Sequence, residues 1–146
     1  MSVETPYLTA YPSIYVRLRG RNGAVREYKA LVDITAEYCV IPRVDAYRLG
    51  YPEAAHDDPI TTPANLVRLA TINGYTEGMM IVIQQVSIGK IMVENVPFLG
   101  LDLPQVMGFD VILGRTFFLK GFLDVELDFS RAKLKISQIP EEPKKQ

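Results

Sequence analysis

ALVDITAEYCVIP, residues 30–42, sets one aspartate, Asp33, between two apolar segments. Ala30, Leu31 and Val32 lead into it, and Val40 and Ile41 follow soon after. A charge between two segments that both tend to be buried is costly unless something pairs with it. Asp33 is therefore either a solvated turn residue or a working carboxylate. A lone carboxylate in apolar surroundings simply takes up a proton. Two brought together share one proton and titrate as a unit. One oxygen then accepts a proton from water while the other carboxyl donates to a carbonyl, which is a route to peptide hydrolysis without a metal. The chain has one aspartate in such a setting, so a pair of this kind would need two copies.

Outward from this stretch the pattern is that of short strands. In SIYVRLRG, residues 13–20, Ile14, Val16 and Leu18 alternate with Tyr15, Arg17 and Arg19, the period of a half-buried strand. GRNG, residues 20–23, is a hairpin signal of the Asn-Gly type, and VREYKALVD is the partner strand. YCVIP is a third short strand, and RVDAYRLG a short helix stopped by Gly50. Residues 51–65, rich in Pro, Asp and Thr, read as a loop. LVRLATINGYTEGMMIVIQQVSIG is a β region with a second hairpin signal at Asn73-Gly74, and IMVENVPFLG is another strand. FDVIL is a short apolar strand followed by a brief helix, GRTFFLKG. FLDVELDF and AKLKIS form a closing hairpin. A faint repeat links VDITAEYCVIP and its helix to FDVIL and its helix. The prediction is an all-β chain with two short helices, forming a small closed or nearly closed barrel. Residues 1–12 are expected to be a loose segment, 13–138 the domain, and 139–146 a flexible tail.

Composition narrows the function. With 146 residues and 48% hydrophobic content, the chain has enough material for one domain with a substantial core. A net charge of −1 and the lack of any dense basic run argue against nucleic acid as the main partner. No apolar run approaches the ~20 residues of a membrane span. The N-terminal residues lack the basic and apolar regions of a secretory signal. The expectation is a soluble, cytoplasmic protein. Cys39 is the only cysteine, so it forms no intramolecular disulfide and belongs to core packing. His56, Asp57 and Asp58 sit together in the Pro-rich loop and read as solvated residues, so neither metal nor cofactor is expected.

The set ALVD-x-x-AEYCVIP, an Asn-Gly hairpin, and FDVILGRTFFL resembles the retropepsin-like aspartic proteases, the single-lobe homodimeric relatives of the retroviral proteases and pepsin. The resemblance spans roughly residues 14 to 137. It implies a closed acid-protease barrel and a homodimer acting on a peptide or protein substrate. Asp33 would be the catalytic aspartate. Thr35 and Ala36, with the flap hairpin of Ile72, Asn73, Gly74 and Tyr75, would hold the peptide. Gly114 would belong to the apolar strand segment beneath the aspartate loop, and Arg115 would form an ion pair with Glu37. Where the family carries Asp-Thr-Gly or Asp-Ser-Gly, this chain reads Asp33-Ile34-Thr35. Ile34 lacks the hydroxyl that would bond across the dimer, and Thr35 adds a side chain where glycine lets substrate approach. The resemblance thus leaves two readings: an aspartic endopeptidase, or an inactive dimer that keeps the cleft as a peptide-binding or scaffold module.

Overall fold

A computed structural model of the chain describes residues 1–6, 12–52, 66–71, 74–101 and 108–138, with only the backbone described for 66–71, 75 and 76. The period-two segment forms β2 (Ser13–Arg19), with Ile14, Val16 and Leu18 buried and Tyr15, Arg17 and Arg19 exposed. It pairs antiparallel with β3 (Val25–Val32), from Ser13↔Leu31 to Arg19↔Val25. Their connection is longer than a two-residue turn. Gly20 N–H donates to the Ala24 carbonyl at 3.0 Å, and Gly23, at φ 81°, supplies the left-handed residue.

Asp33 leaves the end of β3, and the chain returns as β4 (Cys39–Ile41) and α1 (Arg43–Arg48). β5 (Leu66–Thr71), β6 (Gly74–Ile88) and β7 (Ile91–Gly100) form the central meander. β8 (Val111–Leu113) leads into α2 (Arg115–Lys120), and β9 (Leu123–Asp128) and β10 (Lys133–Gln138) close the fold as the expected hairpin.

Six strands close a ring in the order β2-β3-β8-β4-β7-β6, sealed by β6 against β2 from Arg17↔Ser87 to Arg19↔Gln85. Closure leaves these strands no free sheet edge where they pair on both sides. Inward-facing Leu18, Ala30, Ile83, Val96, Phe98, Val111 and Leu113, none above 0% exposure, fill the interior with Phe117 of α2. The fold is the all-β closed barrel with two short helices that the sequence implied.

Two features bear on the Asp33 loop. β8 runs parallel to β3, Val32 opposite Leu113, and β4 runs parallel to β7, Val40 opposite Leu99. β4 also meets β8 at Val40↔Ile112, so the two segments of the faint repeat become adjacent strand–helix units, β4–α1 and β8–α2. β6 also outruns its barrel partner. Pairing with β7 begins at Met79↔Gly100, whereas pairing with β5 extends from Leu66↔Met79 to Thr71↔Gly74. The β5–β6 ribbon therefore projects past the barrel by five residues, roughly 16 Å at strand rise.

The N-terminus departs from expectation. Ser2–Pro6 is not loose but forms β1, paired with β10 from Ser2↔Ser137 to Pro6↔Lys133. Its partner lies some 130 positions away in the chain, and alternating Val3 packs on the core beside buried Leu134 and Ile136. The expected tail, 139–146, lies outside the described residues.

Candidate functional site

The Asp33 loop is held from three sides. From below, Asp33 N–H donates to the Leu113 carbonyl at 3.0 Å, extending the β3–β8 pairing by one bond. Within the loop, Ala36 N–H closes a turn on the Asp33 carbonyl at 3.2 Å. The Thr35 main-chain N–H and hydroxyl both donate to Asp33 Oδ1, at 3.0 and 2.6 Å. From the side, the first residues of α2 attach to the loop: Arg115 N–H to the Ala36 carbonyl at 2.8 Å and Thr116 N–H to the Glu37 carbonyl at 3.1 Å. The opening turn of a helix has N–H groups with no partner inside the helix. Here the carbonyls of the aspartate loop accept two of them.

Gly114 allows this contact. A Cβ built on it would lie 2.3 Å from the Tyr38 carbonyl oxygen and 2.8 Å from that of Ala36. With φ −103° and ψ −171° its backbone is ordinary extended chain, so the requirement is one of space, not conformation. Beneath the loop, Cys39 is fully buried and its sulfur accepts the Gly114 N–H at 3.3 Å and the Thr116 hydroxyl at 3.4 Å. Burial pushes the thiol pKa up, against smaller opposing effects from Thr116 and the Gly114 and Phe117 backbone. Cys39 thus packs in the core, as the sequence suggested, and also ties β4 to the start of α2. That second role has no sequence signal, because its partners are 75 and 77 positions away.

The expected ion pair between Arg115 and Glu37 does not form. Both side chains are exposed, and the ion pairs among the described residues involve other groups. Their segments meet through the backbone instead, Arg115 N–H on the Ala36 carbonyl and Thr116 N–H on the Glu37 carbonyl. An exposed pair contributes little against water and side-chain entropy, so main-chain bonds can hold the same junction without it.

Asp33 itself is half-buried, less enclosed than its apolar flanks implied, and Ile34 beside it is 51% exposed. Asp33, Thr35, Ala36, Glu37, Gly114 and Arg115 belong to one connected network. Of the hairpin residues, Gly74 ends the β5–β6 ribbon opposite Thr71, with φ 114°, and Tyr75 pairs with Ala70. Ile72 and Asn73 lie outside the described residues. A depression of about 530 Å³ on the outer face of β2, β3, β6 and β7, lined by Tyr15, Arg17, Arg19 and Glu27 among others, includes none of these residues. Among the described residues no group of three or more His, Cys, Asp and Glu side chains is placed to hold a metal, and no helix is long and apolar enough to cross a membrane.

No curated protein sequence matches the chain. Among solved structures, it is similar to a retropepsin-like aspartic protease from Rickettsia conorii, with 20% identity, a TM-score of 0.62, and coverage of 92% of this chain and 98% of the other. That likeness extends the agreement in fold across almost the whole of both molecules. The sequence of residues 14–117, from β2 through the aspartate loop into α2, matches the aspartyl protease family, and on that match the chain belongs to it.

Proposed function

We propose that two copies of this chain pair with their Asp33 loops face to face and form an aspartic endopeptidase. The observation behind this reading is the loop itself. A half-buried carboxylate is fixed by Leu113, Thr35 and α2 in a chain of the aspartyl protease family, beside an apolar side chain that stays exposed in the single copy. One carboxylate alone cannot both accept and donate a proton in one step. Two Asp33 groups sharing a proton can. The ionised one takes a proton from water, the water oxygen bonds to the scissile carbonyl carbon, and the carbonyl oxygen takes the proton of the other carboxyl. Collapse of the tetrahedral species breaks the C–N bond: the leaving nitrogen takes the dyad's proton while one hydroxyl of the gem-diol returns its own to the other carboxylate, so the dyad again holds one proton.

The substrate would lie extended between the copies and add as a strand. Of the Thr35 and Ala36 main-chain groups, the Ala36 N–H is bonded to Asp33, the Ala36 carbonyl accepts from Arg115 of α2 and the Thr35 N–H donates to Asp33, so the Thr35 carbonyl would be the one offered to the peptide backbone. The projecting β5–β6 ribbon would cover the peptide with Ile72, Asn73, Gly74 and Tyr75 and exclude water. Glu37, Arg115 and Gly114 would support the loop. A single buried thiol and no disulfide fit a cytoplasmic setting.

The second reading, an inactive peptide-binding or scaffold dimer, is favoured by Ile34, which has no hydroxyl to bond across the seam. One experiment separates the two. The purified chain and Asp33→Asn are incubated with a mixed peptide library from acid to neutral pH. Cleavage by the parent alone supports the endopeptidase. Silence from both, with peptide binding retained, replaces it with the binding module.

A further inference from the structure

The carboxylate of Asp33 is held asymmetrically. Oδ1 accepts two hydrogen bonds, from the Thr35 N–H at 3.0 Å and the Thr35 hydroxyl at 2.6 Å. Those two are the hydrogen bonds its side chain makes among the described residues, and Oδ2 takes part in neither. A carboxyl group rotates about χ2 through a broad, roughly two-fold well, so its oxygens are ordinarily interchangeable. Two donors from one residue, one of them a main-chain group fixed by the turn, end that equivalence.

We propose that Thr35 is a positioning residue that assigns the two oxygens of Asp33 different tasks. Oδ1 is the anchor, and Oδ2 is the oxygen turned to the water and to the shared proton. This deepens the endopeptidase reading and rests on it. The assignment follows from where this chain carries its hydroxyl. Ile34 cannot donate, and its side chain stays 51% exposed. The hydroxyl arrives one residue later, and the loop is not extended there but turned by the Ala36 N–H bond to the Asp33 carbonyl. In an extended segment a side chain two residues on would share the face of Asp33 but lie about 7 Å further along the strand. The turn brings it back onto the carboxylate. Orientation is thus supplied inside each copy, leaving the Ile34 side chain to apolar contact.

The test compares Thr35→Val, which keeps the branched shape without the hydroxyl, with Thr35→Ser, which keeps the hydroxyl. Thr35→Ala is a second hydroxyl-free form in case valine disturbs folding. Two readouts are taken on the full-length protein. In peptide cleavage, loss of a hydrogen bond to a charged group predicts kcat lower by about tenfold to a hundredfold in Val and Ala, with KM within about twofold, and recovery to within about threefold in Ser. In carbon-13 NMR, the Asp33 carboxyl resonance, assigned by its loss in Asp33→Asn, should keep the parent position in Ser and move in Val and Ala. A moved resonance with no cleavage by any form would uphold the positioning role and overturn the endopeptidase reading. Equal kcat in all forms, or a resonance at the parent position in Val and Ala, would overturn the positioning role and leave the endopeptidase reading standing.

Discussion

Replacing Gly114 by alanine adds one methyl group at the junction between the aspartate loop and α2. The new Cβ would stand 2.3 Å from the Tyr38 carbonyl oxygen, 2.7 Å from its carbon and 2.8 Å from the Ala36 carbonyl oxygen. All three are backbone atoms, so no side chain can rotate away. Restoring ordinary contact requires the loop to recede by roughly 1 Å. That movement stretches the 2.8 Å bond from Arg115 N–H to Ala36 and the 3.3 Å bond from Gly114 N–H to the Cys39 sulfur. Overpacking of this kind costs about 2 kcal/mol, and a weakened hydrogen bond adds about 1 kcal/mol. For a chain of 146 residues, a loss of about 3 kcal/mol lowers Tm by roughly 10 °C. Displacement of Asp33 by the same distance would cut the cleavage rate by on the order of a hundredfold. The control is Gly23→Ala. Gly23 has φ 81° and nothing within 4 Å of its would-be Cβ, so that variant meets only left-handed backbone strain, about 1 kcal/mol or roughly 3 °C, with no effect at Asp33. Circular dichroism melts at one protein concentration, followed by cleavage assays, compare the two. A Gly114→Ala protein melting within about 2 °C of the parent, or above Gly23→Ala, would refute the steric account of the loop.

Three further perturbations address other parts of the molecule. Ile34→Ala removes an apolar side chain that is 51% exposed in the single copy, worth about 1 kcal/mol per copy if the seam buries it. The dimer should then dissociate about thirtyfold more readily by sedimentation, and an unchanged dissociation constant would remove Ile34 from the seam. Burial raises the Asp45 pKa, Asp110 adds to the rise, and Arg48 and Arg26 oppose it. A carboxyl whose pKa is raised by folding adds stability below its unfolded pKa and loses it as pH climbs through the folded value. Asp45→Asn should therefore gain in Tm relative to the parent as pH rises from about 3 to 7, whereas a difference independent of pH would contradict this. The Tyr28 hydroxyl is buried near Asp45 and Arg26 but makes no hydrogen bond of normal geometry to either, and desolvation pushes its pKa up to about 12. Tyr28→Phe should leave stability unchanged or raise it by about 1 kcal/mol and remove one late-ionising tyrosine from an alkaline absorbance titration; a loss of stability would reveal a bond that the hydroxyl makes.

Much of the barrel was legible in local pattern. The alternation of Ile14, Val16 and Leu18 with Tyr15, Arg17 and Arg19 dictated a half-buried strand and which face it buries, because the period of side chains along a strand is two. Punctuation by glycine marked the ends of β2 and of the helices. These features depend on neighbours in the chain, and the sequence by itself determined them.

The tertiary structure decided which strands meet and what the side chains of the loop do. The apolar run Ala30, Leu31 and Val32 says that the end of β3 is buried but not that β8 lies parallel to it, 81 positions away, and nothing local gave a sign that Ser2–Pro6 would find β10. The family resemblance implied an ion pair between Glu37 and Arg115. The main chain made the junction instead, leaving both side chains in water, where charges compete poorly for each other. Thr35 looked like a residue for the substrate, yet a single turn folds its hydroxyl back onto Asp33. The direction of a side chain in an irregular loop follows from backbone angles that distant hydrogen bonds impose, here Asp33 to Leu113 and Arg115 to Ala36, and no local pattern of residues encodes them.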